Sequence, residues 1–165
     1  MRWIIWIAAG LAIAGALVVI IGYSLPKAHT ATGSLRSAQP AEAIYALLVD
    51  VDRYPSWRPG VKRLVRQPDR DGRPAWTEAV SGMTIPLYFE TMEPPSLLVA
   101  RIADPSLPFG GTWTYRIAAA PGGSLVTVTE DGEVSNPFFR FMSRFVFGYQ
   151  ATLNEFVKNL EARTR

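Results

Sequence analysis

The sequence predicts an α+β fold: an antiparallel sheet of about seven strands closed by one long C-terminal helix and preceded by one transmembrane helix. Three observations carry that expectation. The first is an uncharged run from Trp3 to Tyr23, WIIWIAAGLAIAGALVVIIGY. The second is the stretch from Val61 to Val134, where short β-like runs are separated by the turn signals Asp71-Gly72, Pro94-Pro95, Asp104-Pro105 and Pro121-Gly122-Gly123. The third is a change of period near the C-terminus. There Phe138, Met142, Phe145, Tyr149, Leu153, Phe156 and Leu160 recur every three or four residues.

The N-terminal run is long enough to cross a bilayer, because 21 helical residues reach roughly 31 Å, about one hydrocarbon thickness. A cleaved signal peptide competes with this reading, since Arg2 precedes the run. Such apolar regions are shorter, about 7–15 residues, and end in a small-x-small site, which Gly22-Tyr23-Ser24 matches only weakly. Trp3, Trp6 and Tyr23 stand where interfacial aromatics belong. The expectation is an uncleaved anchor over residues 1–25, a ligand-binding domain over 26–165, and a single-pass location, a bacterial inner membrane. Arg2 and the amino terminus oppose Lys27 and Arg36, so the balance of positive charge leaves the sidedness open.

Beyond the Leu25-Pro26 stop, His29–Ser37 alternates as a first strand, and Ile44, Leu47, Leu48 and Val51 repeat at helical spacing after Pro40, which predicts a helix over Pro40–Val49. The next segment, DVDRYPSWRPGV at 50–61, is a helix-to-helix corner. Asp50 ends one helix, Asp52 caps a second, Pro55 and Pro59-Gly60 set the bends, and Tyr54 and Trp57 plug the space between helices and sheet. Six strands follow, over 61–67, 73–81, 84–92, 97–103, 110–119 and 124–134. Asn136-Pro137 then starts the final helix. Its apolar stripe fits packing over a curved sheet, although the Phe-rich first half with Arg140 and Arg144 also fits a helix lying on a membrane surface.

Composition narrows the function. A chain of 165 residues, 48% apolar, supports one domain of ordinary size. The net charge of +3, from 17 Lys+Arg dispersed against 14 Asp+Glu, contains no basic run suited to a phosphate backbone, so nucleic acid is not an expected partner. With no cysteine and only His29, neither a metal site nor a thiol nucleophile is expected. No G-x-S-x-G, P-loop or dinucleotide fingerprint occurs, and no cofactor is expected.

The segment LRSAQPAEAIYALLVDVDRYPSWRPGVKRL at 35–64 resembles the opening of the START-like superfamily, specifically its SRPBCC or polyketide cyclase/dehydrase and lipid-transport group. FGGTWTYRI at 109–117, VTVTEDGEV at 126–134 and NPFFRFMSRFVFG at 136–148 are similar to the late strands and last helix of bacterial members. The resemblance covers residues 28–162. It implies the helix-grip (START/Bet v 1-like) fold, in which a bent sheet wraps the final helix around a cavity, and a ligand of apolar or amphiphilic character. Some members catalyse cyclisation or dehydration, so a cyclase-like enzyme is a second implied reading, and a docking module for another membrane protein a third.

Strand alternation shows which polar groups share a row with apolar ones. Trp76, Glu78 and Val80 point one way, as do Val126, Val128 and Glu130. In a cavity either glutamate gains a raised pKa by desolvation and becomes a candidate acid or base. The competing readings are that these rows face solvent, or that each glutamate sits in a structural ion pair with Arg140, Arg101 or Arg116 as partner. Phe109, Trp113, Tyr115 and Ile117 form another apolar row with polar tips. The expected ligand-facing set is thus Trp57, Trp76, Glu78, Phe109, Trp113, Tyr115, Glu130, Arg140, Met142, Phe145 and Tyr149, with Trp57 as a gate, and Glu78 and Glu130 are the catalytic candidates. His29 reads as a surface or strand-edge residue.

Overall fold

The computed structural model of the chain describes residues 2–148 and 150–165. Helix α1, Arg2–Ser24, is the predicted apolar segment and is long and apolar enough to cross a membrane. It is followed at once by strand β1, Ala28–Ser37, and helix α2, Ala41–Val49. Pro40 stands at the N-cap of α2, one residue earlier than the first turn, where its missing N–H costs nothing. Helix α2 buries Ile44, Tyr45 and Leu48.

The corner at 50–61 is tighter than a plain helix-to-helix junction. A 3₁₀ turn, Val51–Arg53, runs directly into α3, Tyr54–Trp57. Asp52 does not cap the second helix. It lies inside the 3₁₀ turn, and its carboxylate instead accepts from Arg66 Nε and Nη2 at 3.1 and 3.0 Å. Asp50 terminates α2 as expected, but its side chain caps nothing and pairs with Arg53 at 3.0 Å.

Six strands then form a meander: β2 Val61–Arg70, β3 Arg73–Val80, β4 Met83–Glu93, β5 Leu97–Ile102, β6 Phe109–Ala120 and β7 Gly123–Val134. Each lies within a few residues of its expected bounds. All pairings are antiparallel and the order is β1-β7-β6-β5-β4-β3-β2, so β1 crosses to the far edge beside β7. Register shifts in β2 and between Phe89 and Thr91 of β4 add local bends. The concave face collects Ala31, Leu35, Trp76, Phe89, Leu98, Ala100, Tyr115, Ile117, Val126 and Val128.

The expected single C-terminal helix is broken in two. Helix α4, Pro137–Met142, passes into a π-helical turn, Ser143–Phe147, and α5, Gln150–Thr164, starts afresh. Gly148 sits between them with φ of 76°, a conformation that a side chain strongly disfavours. Only α5 grips the sheet, burying Leu153, Phe156, Leu160 and Thr164. Helix α4 packs against α1 instead. The close approach uses Gly22, where any Cβ would collide with the Pro137 carbonyl. Asn136 caps α4 as predicted, its Oδ1 accepting from the Phe138 and Phe139 amides. An apolar repeat cannot reveal this break, because both halves keep the same spacing while facing different neighbours.

Candidate functional site

Phe156 of α5 is the centre of the grip. Trp57 from α3 meets its ring at 5.7 Å, and Trp113 and Tyr115 from β6 meet it at 5.3 and 5.5 Å. Tyr54 stands edge-on to both Trp57 and Trp76, and Trp76 contacts Phe89 at 4.7 Å. These rings line the space between helix and sheet. Each such side chain contributes about 1.5–3 kcal/mol by burial, so the same residues that would touch a ligand also hold the domain together.

A polar pair is set into this aromatic wall. Glu78, 4% exposed, accepts from Arg58 Nη1 at 2.9 Å and from Trp76 Nε1 at 3.0 Å on the same oxygen. The partner comes from the corner motif and is none of the three arginines proposed from sequence. Arg101 pairs with Glu90, and Arg140 is bound elsewhere. The Arg58 guanidinium also lies over the rings of Tyr54 and Phe156, at 4.7 and 5.3 Å. Burial opposes its charge, but Glu78 and the Tyr115 and Tyr54 hydroxyls together outweigh that, and its pKa stays above the ordinary value. A carboxylate held this way fits the structural ion pair expected as one reading of Glu78, with a different arginine as partner.

Glu130 differs. It lies on the concave face beside its cross-strand neighbours Trp113 and Ala31, and its Oε2 is buried without a hydrogen-bond partner among the described residues. Desolvation raises its pKa from 4.5 to about 7. His29 approaches its Oε1 at 3.8 Å. His29 does lie on an edge strand, as expected, but its ring turns inward over Gly132 and is only 14% exposed. Its pKa is lowered, chiefly by burial and against the pull of Asp131. With its pKa raised to about 7, the Glu130 carboxyl is able to accept or donate a proton near neutrality.

Two further polar tips belong to the rings around Phe156. Burial keeps the Tyr115 hydroxyl protonated, with Arg58 opposing the shift and Glu78 and Glu130 adding to it. Trp57 Nε1 is buried without a partner among the described residues. Of the sequence-derived set, Trp57, Trp76, Glu78, Trp113, Tyr115 and Glu130 are thus brought together under α5. Phe109 lies at the edge of this face, lining a cleft of about 370 Å³ by the β5–β6 connection. A second cleft, about 340 Å³, separates α2 from the end of α5.

The remaining candidates lie elsewhere. Arg140 is 3% exposed but donates to the carbonyls of Leu25 and Ser135, at 3.0 and 3.1 Å, and so ties α4 to the end of α1. Phe145 is 59% exposed and Met142 half-buried, both outside the aromatic cluster. Tyr149 lies outside the described residues. Sequence reading missed Arg58 and His29. Arg58 was legible only as part of a bend, and the inward turn of His29 follows from its sharing a face with Ala31 and Leu35, an alternation present in the sequence.

The fold has known counterparts. Residues 28–163 match the family described as polyketide cyclase / dehydrase and lipid transport. No curated protein matches the chain. Among solved structures, the chain is similar to the di-domain ARO/CYC StfQ from the steffimycin biosynthetic pathway, with a TM-score of 0.66 and 17% identity, over 83% of this chain and 51% of that one. It therefore spans about half the length of that protein. A START superfamily protein from Mycobacterium smegmatis gives a TM-score of 0.62 at 22% identity, over 82% and 97% of the two chains. The ZhuI aromatase/cyclase from Streptomyces sp. R1128 gives 0.63 at 16%, over 84% and 96%. At these identities the likeness is one of fold. The matched segment runs from the first residue of β1 to the last turn of α5, and on that match the chain belongs to the polyketide cyclase/dehydrase and lipid transport family.

Proposed function

We propose that the protein is a membrane-anchored module that binds a hydrophobic or amphiphilic small molecule between α5 and the concave sheet, at the end of the grip nearest α1. The observation that carries this reading is Glu130 Oε2, buried on an apolar wall with no partner among the described residues. A buried oxygen of this kind costs about 1–3 kcal/mol unless something satisfies it. A ligand hydroxyl, carboxyl or amide would do so, while its apolar body lies against Trp113, Tyr115 and Phe156. Pockets of mixed apolar wall and few polar tips are the usual form of small-molecule sites. The anchor adds proximity, since a lipid-like ligand concentrates in the bilayer beside the site.

Native mass spectrometry of the full chain released from nanodiscs tests the reading. A co-purified small molecule is expected on the wild type, with reduced occupancy on a Glu130→Leu variant of unchanged fold. A bare chain that also fails to bind fluorescent fatty acids and sterols would count against it.

The pKa of Glu130, near 7, favours a second reading, a cyclase- or dehydratase-like enzyme in which Glu130 moves a proton and His29 and Tyr115 orient the substrate. Aromatase/cyclases are among the solved relatives in fold. Glu130→Gln separates the two: an enzyme keeps its ligand and stops converting it.

A further inference from the structure

We infer that α4 and the π turn form an interfacial segment, lying in the headgroup layer of the bilayer that α1 crosses, so that this end of the domain faces lipid. The inference rests on reading α1 as an anchor. It begins with four apolar side chains left uncovered: Phe138, Phe139, Phe145 and Val146 are 46%, 42%, 59% and 58% exposed. Aromatic residues exposed in one short segment mark a contact surface rather than ordinary solvent exposure.

The occupant follows from position. Helix α4 is fastened to the last turn of α1 by the Gly22–Pro137 approach and by Arg140, which bonds the Leu25 carbonyl and lies 5.9 Å from the Tyr23 ring centre. A segment fixed to the end of a membrane-crossing helix has the bilayer surface as its immediate neighbour. Its charge agrees: residues 135–148 contain no Asp or Glu, while Arg144 is exposed and Lys27 follows α1 directly. The site shares this end of the domain. His29 is five residues beyond Ser24, and the first turn of α5 is held there by Gln150 Nε2 donating to the Thr32 carbonyl. The Glu130–His29 pair therefore lies at the end of the domain that α4 shares with the foot of α1.

The chain has no cysteine, so single-cysteine variants of the full chain carry one fluorophore each. In phosphatidylcholine–phosphatidylglycerol vesicles, with nitroxide groups placed near the lipid headgroup or near the acyl chain end, a probe at Phe145→Cys should shift to the blue and lose most of its emission to the shallow quencher. Phe139→Cys should behave alike. Ala12→Cys, within α1, should respond to the deep quencher, and Asp71→Cys, in the β2–β3 turn, to neither. A deep signal at position 12 with positions 139 and 145 as unresponsive as 71 overturns the inference and leaves the anchor standing. Loss of the signal at position 12 as well overturns both. A surface meant for a protein partner would give the former pattern in these protein-free vesicles.

Discussion

Arg58 donates to Glu78 at 2.9 Å across the join between the corner motif and the third strand, and the same carboxylate oxygen accepts from Trp76. One buried oxygen thus ties the corner motif to the third strand, and removing its cation leaves an uncompensated carboxylate. Breaking a buried pair typically costs about 3–5 kcal/mol. Since the Arg58 side chain retains 21% exposure, Arg58→Met should lose about 3 kcal/mol in denaturant unfolding, at the low end of that range. Arg58→Met with Glu78→Leu should recover most of it. A single variant as stable as the wild type would show that the pair is incidental.

Glu130 predicts a pH dependence of known sign. Its folded pKa, about 7, exceeds the ordinary 4.5, so between these values the folded state holds a proton that the unfolded state has lost. Stability attributable to Glu130 therefore falls as pH rises through that window, by up to roughly 3 kcal/mol, and is constant above it. The lowered pKa of His29 acts in the opposite direction, its contribution falling as pH drops below the ordinary 6.5. Thermal melts of Glu130→Gln against wild type should coincide near pH 4 and separate in favour of the variant at pH 8. Coincidence throughout would mean that the carboxylate is solvated.

Gly22 offers a mechanical test of the α1–α4 junction. A methyl group there has no room beside the Pro137 carbonyl, and overpacking costs about 1–3 kcal/mol. Gly22→Ala should speed amide hydrogen exchange in 137–142 while leaving β6 and β7 protected, because the strain is confined to the junction. Unchanged exchange in α4 would show that the two helices are not coupled.

The sheet was legible because turn residues punctuate it and period-two alternation sorts its rows, which put Glu78 in one row with Trp76 and Glu130 in one row with Val128; that both rows face inward is set by the packing of α5 and the corner over the sheet. The ion-pair partner was not, since it depends on where a bend aims a side chain: Arg58 belongs to a motif whose prolines announce the corner but not its direction. The Phe-rich segment failed for a related reason. Phe138 and Leu153 occupy one helical repeat, yet Gly148 divides them, and only the three-dimensional position of α1 gives the first half another neighbour. The same loss of direction applies to Arg140, whose target is a backbone carbonyl that carries no sequence signal.

Trp57 separates architecture from gating. Its ring packs on Phe156 and Tyr54, so Trp57→Ala should lose about 3–5 kcal/mol and says little about ligand. Trp57→Phe is the discriminating change, because it keeps an aromatic ring and removes an N–H that is buried without a partner among the described residues. Leaving such a donor unsatisfied costs about 1–3 kcal/mol, which offsets the smaller ring, so the ligand-free stability should change by less than about 1 kcal/mol. If the indole N–H is reserved for a ligand, affinity for a fluorescent fatty acid should drop several-fold at unchanged melting temperature. Equal affinity and equal on-rate in the phenylalanine variant would assign DVDRYPSWRPGV to architecture alone.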